Sequence, residues 1–85
     1  MYDFPNRIKY LRQIYGLDRK QFAEKINSTM ATVSRYENDK MRPTLDNAKS
    51  IAETFNVSLD WLAGEGKLED VKIRKEWFNE PNGTS

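Results

Sequence analysis

Histidine and cysteine are both absent from the 85 residues. With them go zinc-finger ligand sets, Cys or His nucleophiles, Ser-His-Asp triads and any disulfide framework. Such a chain must hold its core together by apolar packing. Glycine is scarce at four residues and forms no phosphate-cradling loop, while the carboxylates lie scattered through helical segments. An enzyme is therefore the least favoured reading, and no metal or cofactor is expected. Long apolar runs are missing too. The longest is Trp61-Leu62-Ala63, far short of a membrane span, and the opening Met1-Tyr2-Asp3-Phe4-Pro5-Asn6 lacks the basic and apolar regions of a signal peptide. These features predict a soluble cytoplasmic protein without membrane contact. Excess charge of one sign is also lacking: fourteen Lys plus Arg face thirteen Asp plus Glu, a formal +1, which excludes a polybasic tail but leaves room for a local basic face. The length, below the usual domain size of about 100 to 150 residues, admits one core.

What is present is helical periodicity. From residue 1 to 64, apolar residues recur at three and four, and the breaks between segments carry helix-stop residues. Phe4, Ile8, Leu11 and Tyr15 form the inner stripe of a first helix that admits Pro5 near its start and ends at Gly16. Arg12 shares that stripe and so needs a partner or an exit to solvent. Asp18 and Gln21 suit a capping box for a second helix with Phe22, Ala23 and Ile26 inside. Asn27, tolerant of positive φ, is expected to stop it, with Ser28 or Thr29 capping a third helix from about Met30 to Glu37 that buries Val33 and Tyr36. Thr44 starts a fourth helix whose stripe reads Leu45, Ala48, Ile51, Ala52 and Phe55. Asn56 closes it, and Ser58 caps a last short helix with Leu59, Trp61 and Leu62, ended by Gly64. From residue 65 on, five acids and four bases accompany few apolar residues. Lys67 to Phe78 fits a helix through Leu68, Val71 and Lys75, or a strand through Val71, Ile73, Lys75 and Trp77, and the final Asn-Gly-Thr-Ser is expected to fray.

The segment from Leu17 to Pro43, LDRKQFAEKINSTMATVSRYENDKMRP, resembles the Cro and phage-repressor type (XRE family) helix-turn-helix, and Asn56-Val57-Ser58-Leu59-Asp60-Trp61-Leu62 resembles that family's closing helix. The resemblance covers roughly residues 6 to 64. It implies an all-α, compact five-helix bundle of the lambda-repressor-like DNA-binding type at residues 1 to 64, followed by a C-terminal extension at 65 to 85. Ala23 falls where the two motif helices cross, Asn27 at the turn, and Val33 and Tyr36 at the core positions of the recognition helix. Gly is usual where this chain has Asn27 and Asp39, and Asp39 sets a negative charge near the expected phosphates. From Arg19 to Arg42 six bases outnumber three acids.

Carried over position by position, the resemblance places Met30, Ala31, Thr32 and Arg35 at base edges and Arg19, Ser34, Asn38, Lys40 and Arg42 at phosphates, with Arg12 and Glu37 as a structural ion pair. It implies a transcriptional regulator, a repressor of phage or mobile-element type, whose partner is double-stranded DNA carrying a near-palindromic operator bound by a homodimer. The alternative is an antitoxin or protein-interaction adaptor that meets a protein partner through residues 65 to 85. The extension, with Trp77 and Phe78, either joins the fifth helix in a dimer interface, folds back on its own bundle, or stays partly disordered.

Overall fold

The computed structural model describes residues 2–77. Five helices follow in order: α1 (Phe4–Ile14), α2 (Arg19–Lys25), α3 (Met30–Glu37), α4 (Leu45–Phe55) and α5 (Leu59–Ala63). Among the described residues there is no strand, and no helix is long and apolar enough to cross a membrane.

One terminating device recurs at all five helix ends. A residue at positive φ (Gly16, Asn27, Asp39, Asn56, Gly64) reverses the chain. The next N–H then bonds a carbonyl five residues back: Leu17 to Arg12 at 2.9 Å, Ser28 to Ala23 at 2.8 Å, Lys40 to Arg35 at 2.8 Å, Val57 to Ala52 at 2.9 Å and Glu65 to Asp60 at 2.9 Å. These bonds satisfy carbonyls that a helix end otherwise leaves without partners. The starts are equally regular. Asp18 and Gln21 form a reciprocal capping box, and Thr29, Thr44 and Ser58 each accept an N–H three residues on, each cap being worth about 1 kcal/mol. Asp3 is the exception: its carboxylate caps nothing and turns to Asn6 and Arg7.

The core draws on every helix: Phe4, Ile8, Leu11 and Tyr15 from the first; Phe22, Ala23 and Ile26 from the second and its end; Val33 and Tyr36; Ile51, Ala52 and Phe55; Trp61 and Leu62. Phe22 stacks on Phe55 with centroids 4.7 Å apart, and Phe4 meets Tyr36 edge-on at 5.3 Å, geometries that favour the ring quadrupoles. The expected stripe of α4 fails at one residue. Leu45 stays 69% exposed, because it lies in the first turn, beyond the reach of the elements that cover Ile51 and Phe55.

Residues 65–77 are neither helix nor strand apart from one 3₁₀ turn, Lys75–Trp77. They fold back as a strap. The Trp61 indole N–H donates to the Lys67 carbonyl at 2.9 Å, and the Arg74 N–H donates to the Tyr15 hydroxyl at 2.6 Å. Trp77 then lies 5.0 Å from Tyr15 and 5.4 Å from Phe55, centroid to centroid. Leu68 and Val71 pack half-buried against the same core. The expectations for Phe78 and for the terminal Asn82 to Ser85 lie outside the described residues.

Candidate nucleic-acid interface

Ala23, which the resemblance sets where the two motif helices cross, is buried at 3% exposure. Asn27, at φ 57°, turns the chain between them. Behind α3, Val33, Tyr36 and Glu37 are all buried, so the helix is fixed by its back. Glu37 is the polar member of that back, its side chain 1% exposed. Its carboxylate accepts the Arg12 Nε–H at 2.7 Å and an Arg12 terminal N–H at 3.1 Å, the two-pronged geometry that makes arginine–carboxylate pairs strong. Arg19 adds a third bond at 3.3 Å from a side chain 45% exposed. The hydrogen bond to Glu37 raises the Arg12 pKa above its ordinary value, outweighing desolvation. Arg12 also donates to the Leu17 carbonyl at 3.3 Å, tying the α1–α2 turn to the recognition helix.

With that face buried, the helical period turns Ala31 and Arg35 to the opposite side. Both are exposed, as is Met30 at 56%, with Thr32 and Ser34 half-buried on the flanks. Arg35 has no acidic partner among the described residues. Thr29 Oγ1 accepts the Thr32 N–H at 3.1 Å and lies 3.0 Å from the Thr32 hydroxyl, fixing that side chain in the first turn. The Asn38 amide donates to Ser34 Oγ at 3.4 Å. Lys40 is exposed in the loop that follows.

Three bases of the motif region have partners within the chain. Arg19 is shared with Glu37, the Lys25 ammonium lies 4.2 Å from the Trp77 ring centroid, and the Arg42 guanidinium lies 4.0 Å from that of Tyr2. Burial raises the Tyr2 pKa, an effect that the Arg42 charge opposes. The structure thus brings Met30, Ala31, Thr32, Ser34 and Arg35 together on one helix, sets Asn38 and Lys40 just beyond its end, and places Arg42 beside the N-terminal segment.

Sequence reasoning passed over Arg7. It is 5% exposed and donates to the carbonyls of Trp61 (3.3 Å), Gly64 (3.1 Å), Glu65 (3.2 Å) and Gly66 (2.9 Å), while its Nε–H reaches Asp3 at 3.2 Å. A buried guanidinium here satisfies the carbonyl end of α5, where a cation also complements the helix dipole. A signal was available: Arg7 is three after Phe4 and four before Leu11, the same stripe logic that singled out Arg12.

A helix-turn-helix family model matches residues 8–62. The chain is 36% identical to the HTH-type transcriptional regulator ImmR of Bacillus subtilis over 87% of its own length and 61% of that protein. It is 30% identical to the uncharacterized HTH-type transcriptional regulator YobD of the same organism, over 89% of this chain and 71% of YobD. An uncharacterized HTH-type transcriptional regulator of Haemophilus influenzae is 36% identical across 87% of this chain, which spans only 30% of that longer protein. Among solved structures, a transcriptional regulator from Listeria innocua superimposes with a TM-score of 0.70 at 27% identity, covering 79% of this chain and 63% of that one. The match contains both motif helices, the Asn27 turn, the Arg12–Glu37 pair and all but the last residue of the closing helix, and the chain belongs to the Cro/C1-type helix-turn-helix family.

Proposed function

We propose that the protein is a sequence-specific DNA-binding transcriptional regulator, a cytoplasmic repressor of phage or mobile-element type that binds a near-palindromic operator as a homodimer. Residues 1–64 form the DNA-binding unit and the strap from residue 65 braces it. The observation that carries this reading is the asymmetry of α3: a back locked by Val33, Tyr36 and Glu37, and a front that presents an exposed Arg35 with no acidic partner among the described residues. A helix so displayed fits the major groove, where an arginine fork can pair with the O6 and N7 of guanine. Met30, Ala31 and Thr32 complete the base-reading set, the first two through apolar contact such as a thymine methyl. Arg19, Ser34, Asn38 and Lys40 hold phosphates and set register without reading sequence.

The test is selection of bound sequences from a random duplex pool, followed by salt titration on the winner. Recovery of a two-fold related motif is expected, its half-sites about one helical turn apart. For roughly six phosphate contacts per dimer, affinity should fall on the order of a thousandfold between about 50 and 200 mM salt. No enriched sequence, or affinity indifferent to salt, overturns the reading.

A further inference from the structure

We infer that Tyr2 is a positioning residue for DNA binding: its ring holds the Arg42 guanidinium of the α3–α4 loop, so that Arg42 meets a phosphate of the duplex already oriented. This rests on the DNA-binding reading above and adds Arg42, through Tyr2, to the groups that hold phosphates.

Tyr2 lies outside every helix, yet the residues that follow it are pinned. The Asp3 N–H donates to the Ala63 carbonyl at 2.8 Å, the Asp3 carboxylate accepts from Asn6 at 2.9 Å and from Arg7 at 3.2 Å, and Phe4 is buried against Tyr36. The Tyr2 ring, 6.4 Å from that of Phe4, is left 39% exposed. Over it lies Arg42, the guanidinium carbon 4.0 Å from the ring centroid, well inside the roughly 6 Å over which a cation is drawn to the negative face of an aromatic ring. The Tyr2 hydroxyl also feels Asp39, whose charge adds to the effect of burial and raises its pKa. The N-terminal segment thus lies against the same loop that holds Asn38 and Lys40.

A contact of this kind presents an arginine rather than hiding it. A ring face attracts the charge but accepts no fork of N–H bonds, and among the described residues Arg42 has no acidic partner. Arg12 shows the contrast: its fork is filled by Glu37 and its side chain is withdrawn to 18% exposure. Arg42 stays exposed. A phosphate suits the planar fork of a guanidinium, and the loop supplies the direction. Arg42 stands two residues beyond Lys40 on the stretch that leaves the recognition helix, so a DNA strand held by Asn38 and Lys40 passes the same loop. What Tyr2 contributes is order. A free arginine loses rotamer freedom when it grips a phosphate, and a side chain already held by a ring has less to lose.

The experiment measures affinity of the full chain, without an N-terminal tag, for the selected operator and for a random-sequence duplex across a salt series. Tyr2→Leu keeps apolar bulk and removes the ring, whereas Tyr2→Phe keeps the ring. Tyr2→Leu should weaken both duplexes by about three- to tenfold per protomer, and Tyr2→Phe should bind as wild type does. Arg42→Ala should weaken both and make the salt slope shallower by about 1 per protomer. In the Arg42→Ala background, Tyr2→Leu should have no further effect. That dependence is a result that mere damage to the fold does not give. Tyr2→Leu binding like wild type or more tightly, an Arg42→Ala salt slope unchanged, or losses that add in the double variant overturn the inference; salt-sensitive wild-type binding to a selected operator then leaves the proposed function standing. Wild type that enriches no sequence, yet binds the random duplex with the Tyr2–Arg42 dependence, overturns the function and leaves the inference. Wild type that binds neither duplex overturns both.

Discussion

At Glu37 one buried carboxylate takes three N–H groups from two arginines, and the two arginines are not equivalent. Arg12→Ala leaves a carboxylate, 1% exposed, with only the long bond to a half-exposed Arg19. It should cost about 3 to 5 kcal/mol, the range for stranding a buried charge. Glu37→Ala strands guanidiniums that reach water more readily, Arg12 being 18% exposed and Arg19 45%, and should fall at the low end of that range. Arg19→Ala removes a partly solvated pair worth under about 1 kcal/mol. Denaturant midpoints falling in that order support the asymmetry, and equal losses for Arg12→Ala and Arg19→Ala refute it. Arg35, with no such tie, separates reading from holding. Arg35→Ala should cost about 1 to 3 kcal/mol on the best operator and flatten preference at one base pair per half-site, whereas Arg19→Ala should weaken all sequences alike and make the salt slope shallower by about 1 per half-site. Binding profiles over all single-base operator variants check both. A profile for Arg35→Ala parallel to wild type assigns Arg35 to the phosphates.

Helices here are delimited by local chemistry, which is why their bounds were readable. Asp18, Thr29, Thr44 and Ser58 each carry the side-chain oxygen that a first turn needs, and Asn27, Asn56, Gly16 and Gly64 tolerate the reversal that ends one. Asp39 was legible only as a departure from its family. It holds the left-handed conformation at φ 57°, the conformation for which Gly is usual at that position. Asp39→Gly should keep or raise stability by up to about 1 kcal/mol. It should also tighten every duplex alike, since a negative charge leaves the loop proposed to hold phosphates through Asn38 and Lys40. Asp39→Ala removes the same charge but should lose about 1 kcal/mol of stability to backbone strain. Thermal melts and non-specific duplex affinities for the pair separate conformation from charge; weaker binding by the glycine variant would show that the carboxylate helps the site. What local chemistry does not encode is which face a neighbour covers. Leu45 kept the helical spacing of its stripe and still faces solvent, and Arg7 shared the spacing of Arg12 yet finds its acceptors on α5 and the strap.

Across the whole molecule, folding back of the extension was one of the readings the sequence allowed, but its conformation was not legible because it comes from contacts rather than periodicity. Lys67 to Phe78 fits a helix and a strand equally on paper. The bundle overrules both by offering the Tyr15 hydroxyl to a backbone N–H and the faces of Tyr15 and Phe55 to an indole. Trp77→Ala should therefore destabilise the bundle by about 2 kcal/mol, less than for a fully buried aromatic. Hydrogen exchange should show faster opening of α2, where Lys25 loses the ring beneath it. A melt identical to wild type would mean the strap merely rests on the surface. Arg7 adds a constraint of another kind, on the order of events. Its carbonyl acceptors lie 54 to 59 residues further along the chain. During synthesis the motif helices are made while this guanidinium still lacks its acceptors and the aromatic ring of Phe55 has yet to be added. The motif segment is thus made early and set in place late, so a released fragment ending at residue 60 should fail to retain operator duplex, and one ending at residue 77 should capture it.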